Sequence, residues 1–247
     1  MSVLLLFVLY AAGLSMALAR AGYRSGVTRS TDGPLQAPTR LLIVGATGGT
    51  GRQLVARALE RGFRVTALAR DPSKLRMEHP LLTVVQGDVL DPASLDAAMR
   101  GQEAVLSALG HKRYFHPTRI LSEGTGNVVR AMETHGARRL VCMSSLGIGD
   151  SAGRMGLYYT FFVIPLILPF YFWDKTRQEM TIAGSSVDWT IVRPGALTNG
   201  SRRGRVRHGA RIGNYIWTVR VPRADVADFM IDQLEPSTYL RTAVSVA

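Results

Sequence analysis

The chain has 247 residues, 47% of them hydrophobic, with 25 glycines, one cysteine and a formal charge of +12 at pH 7. That length serves one large α/β domain with a full core or two small ones, and the ordinary apolar content with mixed charge puts a folded domain ahead of a disordered chain. A lone thiol excludes an internal disulfide, and the cationic excess favours an anionic partner: a phosphorylated cofactor, an acidic membrane surface or nucleic acid.

The amino-terminal stretch VLLLFVLYAAGLSMALA, Val3 to Ala19, carries no charge. As a helix it extends about 25 Å, at the short end of what crosses a bilayer core. Arg20, Arg24 and Arg29 follow on its carboxyl side only. That asymmetry favours an uncleaved membrane anchor over residues 1–21 with the body facing the cytoplasm. Two alternatives stay open. Ala17-Leu18-Ala19 resembles a signal-peptide cleavage site, although Met1-Ser2 lacks a basic n-region; or the segment is buried and the protein is a soluble cytoplasmic one. Residues 22–39, rich in Gly, Ser, Thr and Pro, read as a linker.

From residue 40 onward, short β-branched runs alternate with helical stretches. RLLIVGA is a strand and GRQLVARALERG a helix ended by Gly62. FRVTALAR is the second strand, followed by a short helix from DPSKL; LLTVVQGDV is the third. DPASLDAAMRG is a helix with Asp91 as N-cap and Pro92 in its first position. EAVLSALG, a long helix over PTRILSEGTGNVVRAMETHG, RRLVCMSS and VDWTIVRPG continue the series. Cys142, inside the fifth strand, reads as a small buried hydrophobe. After Gly195 regularity weakens until the helix RADVADFMIDQLE and a closing strand AVSV. Such alternation predicts βαβ units and a doubly wound parallel sheet in a single domain over residues 40–247, with the carboxyl-terminal part at 195–247.

Between the first strand and the first helix lies LIVGATGGTGRQLV, with Gly45, Gly48 and Gly51 in G-x-x-G-x-x-G spacing. The first glycine permits the tight turn, the second lets backbone approach a pyrophosphate, and the third lets helix and strand pack closely. The helix amides and dipole then face the phosphates, with Thr47, Gly49 and Thr50 adding donors. At the end of the second strand the sequence reads ALARDPSKL. An acid there bonds an NAD ribose, whereas the 2′-phosphate of NADP needs a cation. Arg70 and Lys74 therefore favour NADP(H) over NAD(H), with Asp71 assigned to capping the short helix at Pro72. Asp88 and Val89 end the third strand, where adenine contacts fall. Ala108, within Ser107 to Gly110, ends the fourth beneath the nicotinamide ribose, and Ser144 ends the fifth.

The ordered set GATGGTG, ARDPSK, QGDV, SSLG, DKTRQE, VDWTIVRPGALTNG and RADVAD resembles an atypical short-chain dehydrogenase/reductase of the NmrA-like, biliverdin/flavin-reductase-like group. The resemblance implies a Rossmann-type fold and a dinucleotide cofactor. That group holds NADPH-dependent reductases, sensors without turnover and assembly factors. In the wider superfamily a Ser, a Tyr and a Lys four residues later carry hydride-transfer chemistry, the Lys lowering the phenol pKa and bonding the nicotinamide ribose. Ser145, Tyr171 and Lys175 match that set; Lys175 doubles as a cofactor contact. The atypical group often keeps the lysine without the tyrosine. His111 and His116, beyond the fourth strand, are weaker acid–base candidates, and no His, Cys or acidic spacing implies a metal.

Residues 151–175 form the expected substrate wall, and MGLYYTFFVIPLILPFYFW within it has no polar face and is interrupted by Pro165 and Pro169. It reads as a lid over an apolar substrate, a membrane-dipping segment or a core helix. The arginine run SRRGRVRHGAR is expected as a solvated hairpin near an anionic membrane surface or the cofactor phosphate, and nucleic acid is disfavoured. These readings converge on a membrane-associated NADP(H)-dependent reductase of a hydrophobic carbonyl, quinone or flavin-like acceptor. The alternative is a non-catalytic NAD(P)-binding redox sensor or assembly factor.

Overall fold

The computed structural model describes residues 3–23, 38–235 and 239–247. Most of the expected linker, with Arg24 and Arg29, lies outside them. The apolar amino terminus is one helix, α1 (Val3–Ala21), long and apolar enough to cross a membrane by length and composition.

Ten strands follow: β1 (Arg40–Val44), β2 (Arg64–Ala69), β3 (Leu82–Gln86), β4 (Ala104–Ser107), β5 (Arg139–Met143), β6 (Asp188–Pro194), β7 (Ala196–Thr198), β8 (His208–Gly209), β9 (Arg220–Pro222) and β10 (Thr242–Val246). Eight of them make one sheet in the order β3-β2-β1-β4-β5-β6-β10-β8. All its pairings are parallel except β8 on β10. The order reverses between β1 and β4, so the carboxyl ends of those two strands flank the crevice where doubly wound folds bind ligands.

Helices α2 (Gly49–Glu60), α3 (Pro92–Met99), α4 (Ile120–His135), α5 (Pro169–Ala183) and α6 (Arg223–Asp232) cover the two faces. One core packs α2 and α6 on the sheet through Leu54, Val55, Val226 and Met230. The other packs α3, α4 and α5 through Leu95, Val128, Met132 and Ile182. Strands buried on both faces read as continuous apolar runs, which is why LLIV and LVCM carry no alternation. Asp91 caps α3, accepting from Ala93 N at 3.1 Å with Pro92 in the first position, and Gly136 closes α4 at φ 76°.

Three details depart from the sequence reading. The long helix begins at Ile120 rather than at Pro117. The apolar insert forms a π-helix, Tyr159–Ile167, with Pro165 inside it, and Pro169 opens α5. Within the weakly patterned end, β7 pairs with β9 in a separate parallel ladder and β8 adds to the main sheet's edge. Strands of two or three residues are too short to impose a periodicity.

α1 is docked on the body. Leu18 joins Leu146, Ile148, Met155, Ile164 and Phe172 in a third apolar cluster. Phe7 stacks near Phe162 with centroids 5.9 Å apart, and Tyr10 Oη donates to Pro165 O at 3.2 Å. Just past α1, Tyr23 O accepts from Arg193 Nη2 at 2.8 Å. Arg193, buried on β6, grips Glu179 of α5 as a two-pronged fork, Nε to Oε1 at 2.9 Å and Nη2 to Oε2 at 2.6 Å, and also bonds Asp150. A buried pair of this kind is costly to break from one side. Arg193→Met is therefore expected to lower stability by about 3–5 kcal/mol in denaturant titration, since it strands Glu179 without a counter-charge. Arg193→Met/Glu179→Met should recover most of that loss; a single variant within about 1 kcal/mol of the parent would sink the assignment.

Candidate functional site

The β1–α2 turn is built around close approaches that side chains would block. Gly45 has φ 76°, and a Cβ there would sit 2.6 Å from Ala108 O at the end of β4. A Cβ on Gly51 would lie 2.0 Å from Gly45 O. Gly48 N donates to Gly45 O at 3.0 Å, and Gly48 is the N-cap of α2 with no side-chain cap. The first-turn amides of a twelve-residue helix thus face the crevice without an internal acceptor from a capping side chain. Arg52 Nε donates to Thr47 O at 2.9 Å and stiffens the turn. The cradle fits a dinucleotide pyrophosphate: glycines at 45 and 51 let turn, β4 and α2 close up, and Gly48 leaves the helix amides without a covering side chain.

Arg223, the first residue of α6, was not singled out by the sequence. A Cβ on Gly49 would meet Arg223 Nε at 2.7 Å, and Arg223 Nη1 donates to Asn199 Oδ1 at 2.6 Å. With Arg52, Gln53 and Thr198 these residues line a cleft of about 380 Å³ beside the cradle. Nothing local marks Arg223 in the sequence, because its neighbour Gly49 is 174 residues away and meets it only through the α2–α6 packing.

At the end of β2, Asp71 accepts from Ser73 N at 3.2 Å and from Ser73 Oγ at 2.6 Å, capping the one-turn helix Pro72–Lys74. Lys74 Nζ lies 3.1 Å from Asp71 Oδ2. The hydroxyl of Ser73 and the Lys74 ammonium both hold the Asp71 carboxylate below its ordinary pKa. Arg70 is exposed and has no side-chain partner among the described residues. At the end of β3, Asp88 Oδ1 accepts from Leu90 N, and Val89 is buried with its carbonyl accepting from Asn127 Nδ2 at 2.8 Å.

The DKTRQE segment is an internal tie. Asp174, Lys175, Gln178 and Glu179 are all buried. Asp174 caps α4 from a neighbouring helix, accepting from Leu121 N at 2.9 Å, Ser122 N at 3.1 Å and Ser122 Oγ at 2.6 Å. Lys175 Nζ donates to Met143 O at 2.7 Å, Leu109 O at 3.3 Å and Gln178 Oε1 at 3.0 Å. Those three bonds use every proton an ammonium has. Burial pushes the Lys175 pKa down, against the pull of Cys142, Glu179 and Asp174. Gln178 in turn donates to Thr125 Oγ1 at 2.8 Å.

Tyr171 lies one turn before Lys175, but the ammonium is over its ring, 5.9 Å from the centroid. The phenol oxygen faces the end of β4, 3.6 Å from where a Cβ on Gly110 would be. Burial pushes its pKa well up, helped by Tyr114 and Asp174, so it is a neutral donor. Its ring makes edge contacts with His111 at 5.0 Å and Tyr114 at 6.0 Å. His111 Nδ1 accepts from Arg113 N at 3.1 Å, which puts the proton on Nε2, 2.9 Å from Thr118 Oγ1. Burial lowers the His111 pKa. His116 is exposed in the same loop. Ser144 Oγ is buried with no hydrogen-bond partner among the described residues, and Ser145 Oγ donates to Leu146 O at 3.0 Å. The structure thus brings Ser144, Ser145, Tyr171 and Lys175 to the carboxyl edge of β4 and β5, with Ala108 on the same edge.

A family profile described as NAD(P)H-binding matches residues 45–236. An uncharacterised chloroplastic protein of Arabidopsis thaliana is 32% identical over 182 residues, 68% of this chain and 62% of that protein. A (4-alkanoyl-5-oxo-2,5-dihydrofuran-3-yl)methyl phosphate reductase of Streptomyces griseus is 31% identical over 154 residues, 62% of this chain and 46% of its own length. The chain therefore spans less than two thirds of either relative. A wide-type short-chain dehydrogenase/reductase of Veillonella parvula, solved with NADP, superposes with a TM-score of 0.72 at 19% identity, covering 85% of this chain and 94% of that one, a likeness of fold. With its glycine cradle at the switch point of a parallel sheet, the chain belongs to the NAD(P)H-binding family, the NmrA-like group of short-chain dehydrogenase/reductase relatives that its motifs resemble.

Proposed function

We propose that the protein is an NADP(H)-dependent oxidoreductase that reduces a hydrophobic carbonyl, quinone or flavin-like acceptor at a membrane surface. The observation that carries the cofactor choice is the division of labour after β2. Asp71 is consumed as a helix cap and by Lys74, while the neighbouring guanidinium of Arg70 stands exposed without a partner among the described residues. A planar fork suits a 2′-phosphate, whereas Asp71, the acid that competes for an unphosphorylated ribose, is already engaged. The bound nicotinamide supplies the hydride. The protein's own part is to seat the cofactor on the uncapped α2 amides and to present Tyr171, and Ser145 once its hydroxyl turns from Leu146 O, at the nicotinamide edge as neutral hydrogen-bond donors to the acceptor oxygen. In this reading Lys175 is a positioning residue, fixing the carboxyl ends of β4 and β5 through Leu109 O and Met143 O.

The apolar acceptor and the membrane follow from one surface. Leu4, Leu9 and Met16 of α1 and Tyr158, Phe162, Leu166 and Ile167 of the insert are all exposed large hydrophobics. Trp217, beside Gly156 at the start of the insert, is 73% exposed. An apolar expanse of this kind on a monomer marks a membrane or partner contact. It adjoins the cluster of Leu146, Met155 and Phe172 that follows Ser145. We propose that α1 and the π-helix enter the bilayer together, and that the acceptor arrives from that side.

A non-catalytic cofactor sensor is the second reading, favoured by the saturation of Lys175 and the raised phenol pKa, which leave no activated acid. Anaerobic NADPH oxidation against quinones, flavins and aldehydes separates the two; tight NADPH binding with no turnover on any acceptor selects the sensor.

Three outcomes follow. In calorimetry, Arg70→Ala should weaken NADPH binding about tenfold or more while leaving NADH binding unchanged; equal loss for both would remove Arg70 from the 2′-phosphate. Lys175→Met orphans three buried acceptors and should cost about 3 kcal/mol of stability, at roughly 1 kcal/mol or more each. A Lys175→Met protein as stable as the parent but unable to bind NADPH would instead make the lysine a direct cofactor ligand. A chain starting at Thr39 uncovers Leu146, Ile148 and Phe172 and keeps the exposed insert, so it should still require detergent. Full solubility of that chain without detergent would count against the membrane contact.

A further inference from the structure

Between α4 and α5 lies a groove of about 740 Å³. Its charged lining is Arg119, Arg130, Arg177 and Glu123. Glu123 lies 3.7 Å from Arg119 Nη1 and Arg130 bonds Asn127, so three cations face one carboxylate. Arg177 is exposed, and its guanidinium has no partner among the described residues. Gly126 keeps the floor open: a Cβ there would stand 3.6 Å from Arg130 Nη1 and 3.7 Å from Thr181 Cγ2.

The position of the groove is as informative as its charge. Ala21, at the carboxyl end of α1, lines it, and so do Trp173 and Met180 of α5, both exposed. Along α5 the outward residues run Phe170, Trp173, Arg177, in steps of one turn. This is the order met when crossing from hydrocarbon through the aromatic belt to the phosphate layer of a bilayer. The cationic groove therefore sits at the foot of the apolar surface formed by α1 and the π-helix, where headgroups lie.

We infer that the α4–α5 groove binds the headgroup of an anionic membrane phospholipid, with its phosphodiester among Arg119, Arg130 and Arg177 and its upper acyl chains against Trp173. The inference rests on the membrane reading above. Guanidinium forks match phosphate oxygens, and each cation near an acidic membrane surface strengthens binding.

The test uses the full chain in detergent micelles, titrated with dioctanoyl phosphatidylglycerol or dioctanoyl phosphatidylcholine and read by native mass spectrometry and by the unfolding midpoint. The expected result is one retained phosphatidylglycerol per chain, with phosphatidylcholine at least about tenfold weaker. Arg119→Gln/Arg130→Gln/Arg177→Gln should lose that preference while binding NADPH and phosphatidylcholine as before. Equal binding of the two lipids, or a triple variant that retains the phosphatidylglycerol preference, overturns the site. So does displacement by glycerol 3-phosphate at the same concentration, which would make the ligand a soluble phosphate. An arginine-dependent dimer without bound lipid overturns it too, since the groove would then be an interface between copies. Flotation of the wild-type and triple-variant chains with phosphatidylcholine vesicles, which needs the apolar surface and no arginine, tests the membrane reading separately.

Discussion

Four polar side chains on little more than one turn of α5 hold together the edge of the sheet on which the site stands. Asp174 terminates α4, Lys175 joins the last carbonyls of β4 and β5, Gln178 braces that lysine against Thr125, and Glu179 anchors Arg193 of β6. Buried polar groups of this kind are tolerable only when each donor and acceptor is met, and here they are. The consequence is geometric. The switch-point crevice lies between β1 and β4, so any shift of the β4 carboxyl end moves Ala108, whose carbonyl abuts the Gly45 turn. Cofactor cradle and α5 are thereby coupled through the Lys175 side chain and the backbone that follows β4.

This coupling also explains why a Tyr-x-x-x-Lys spacing is a poor guide to mechanism on its own. Helical periodicity puts Tyr171 and Lys175 on one face, as spacing requires. It does not say how deep that face lies. At the depth found, desolvation dominates: the ammonium is satisfied by carbonyls, and the phenol is pushed toward its neutral form instead of being activated. The same two residue types nearer to solvent would have the opposite electrostatics.

Much of the architecture was legible from local rules. Glycine spacing, the Asp91 cap with Pro92, the end of α4 at Gly136 and the six apolar strand runs are each determined by residues close in sequence. The assignment of Asp71 to a cap also follows from Pro72 and Ser73 beside it. What escaped reading is non-local. The cap of α4 comes from Asp174, more than fifty residues away, and Arg223 reaches Gly49 only because α6 packs on α2. The short strands β7, β8 and β9 hold their pairing through neighbours and carry no pattern of their own. The arginine run is exposed along most of its length, as its charge implies, and its fixing is non-local: the Asp225 carboxylate pins its backbone at Arg203 and Gly204, and Asp228 holds Arg202 at 2.6 Å.

The apolar surface and the crevice then set each other's terms. Phe172 belongs to the cluster that receives Leu18 of α1, and it is flanked in sequence by Tyr171, at the crevice, and Trp173, in the lateral groove. A single helical turn therefore touches the cofactor edge, the docked amino-terminal helix and the cationic groove. The Arg193 fork adds a second tie, since it binds Glu179 of the same helix and the backbone of Tyr23 just past α1. Moving α1 relative to the body would strain both ties at once, and both lead to α5. The contacts that hold α1 thus lead to Phe172, next to Tyr171, and to Glu179, one turn from Lys175, which joins the apolar surface to the carboxyl edge of the sheet.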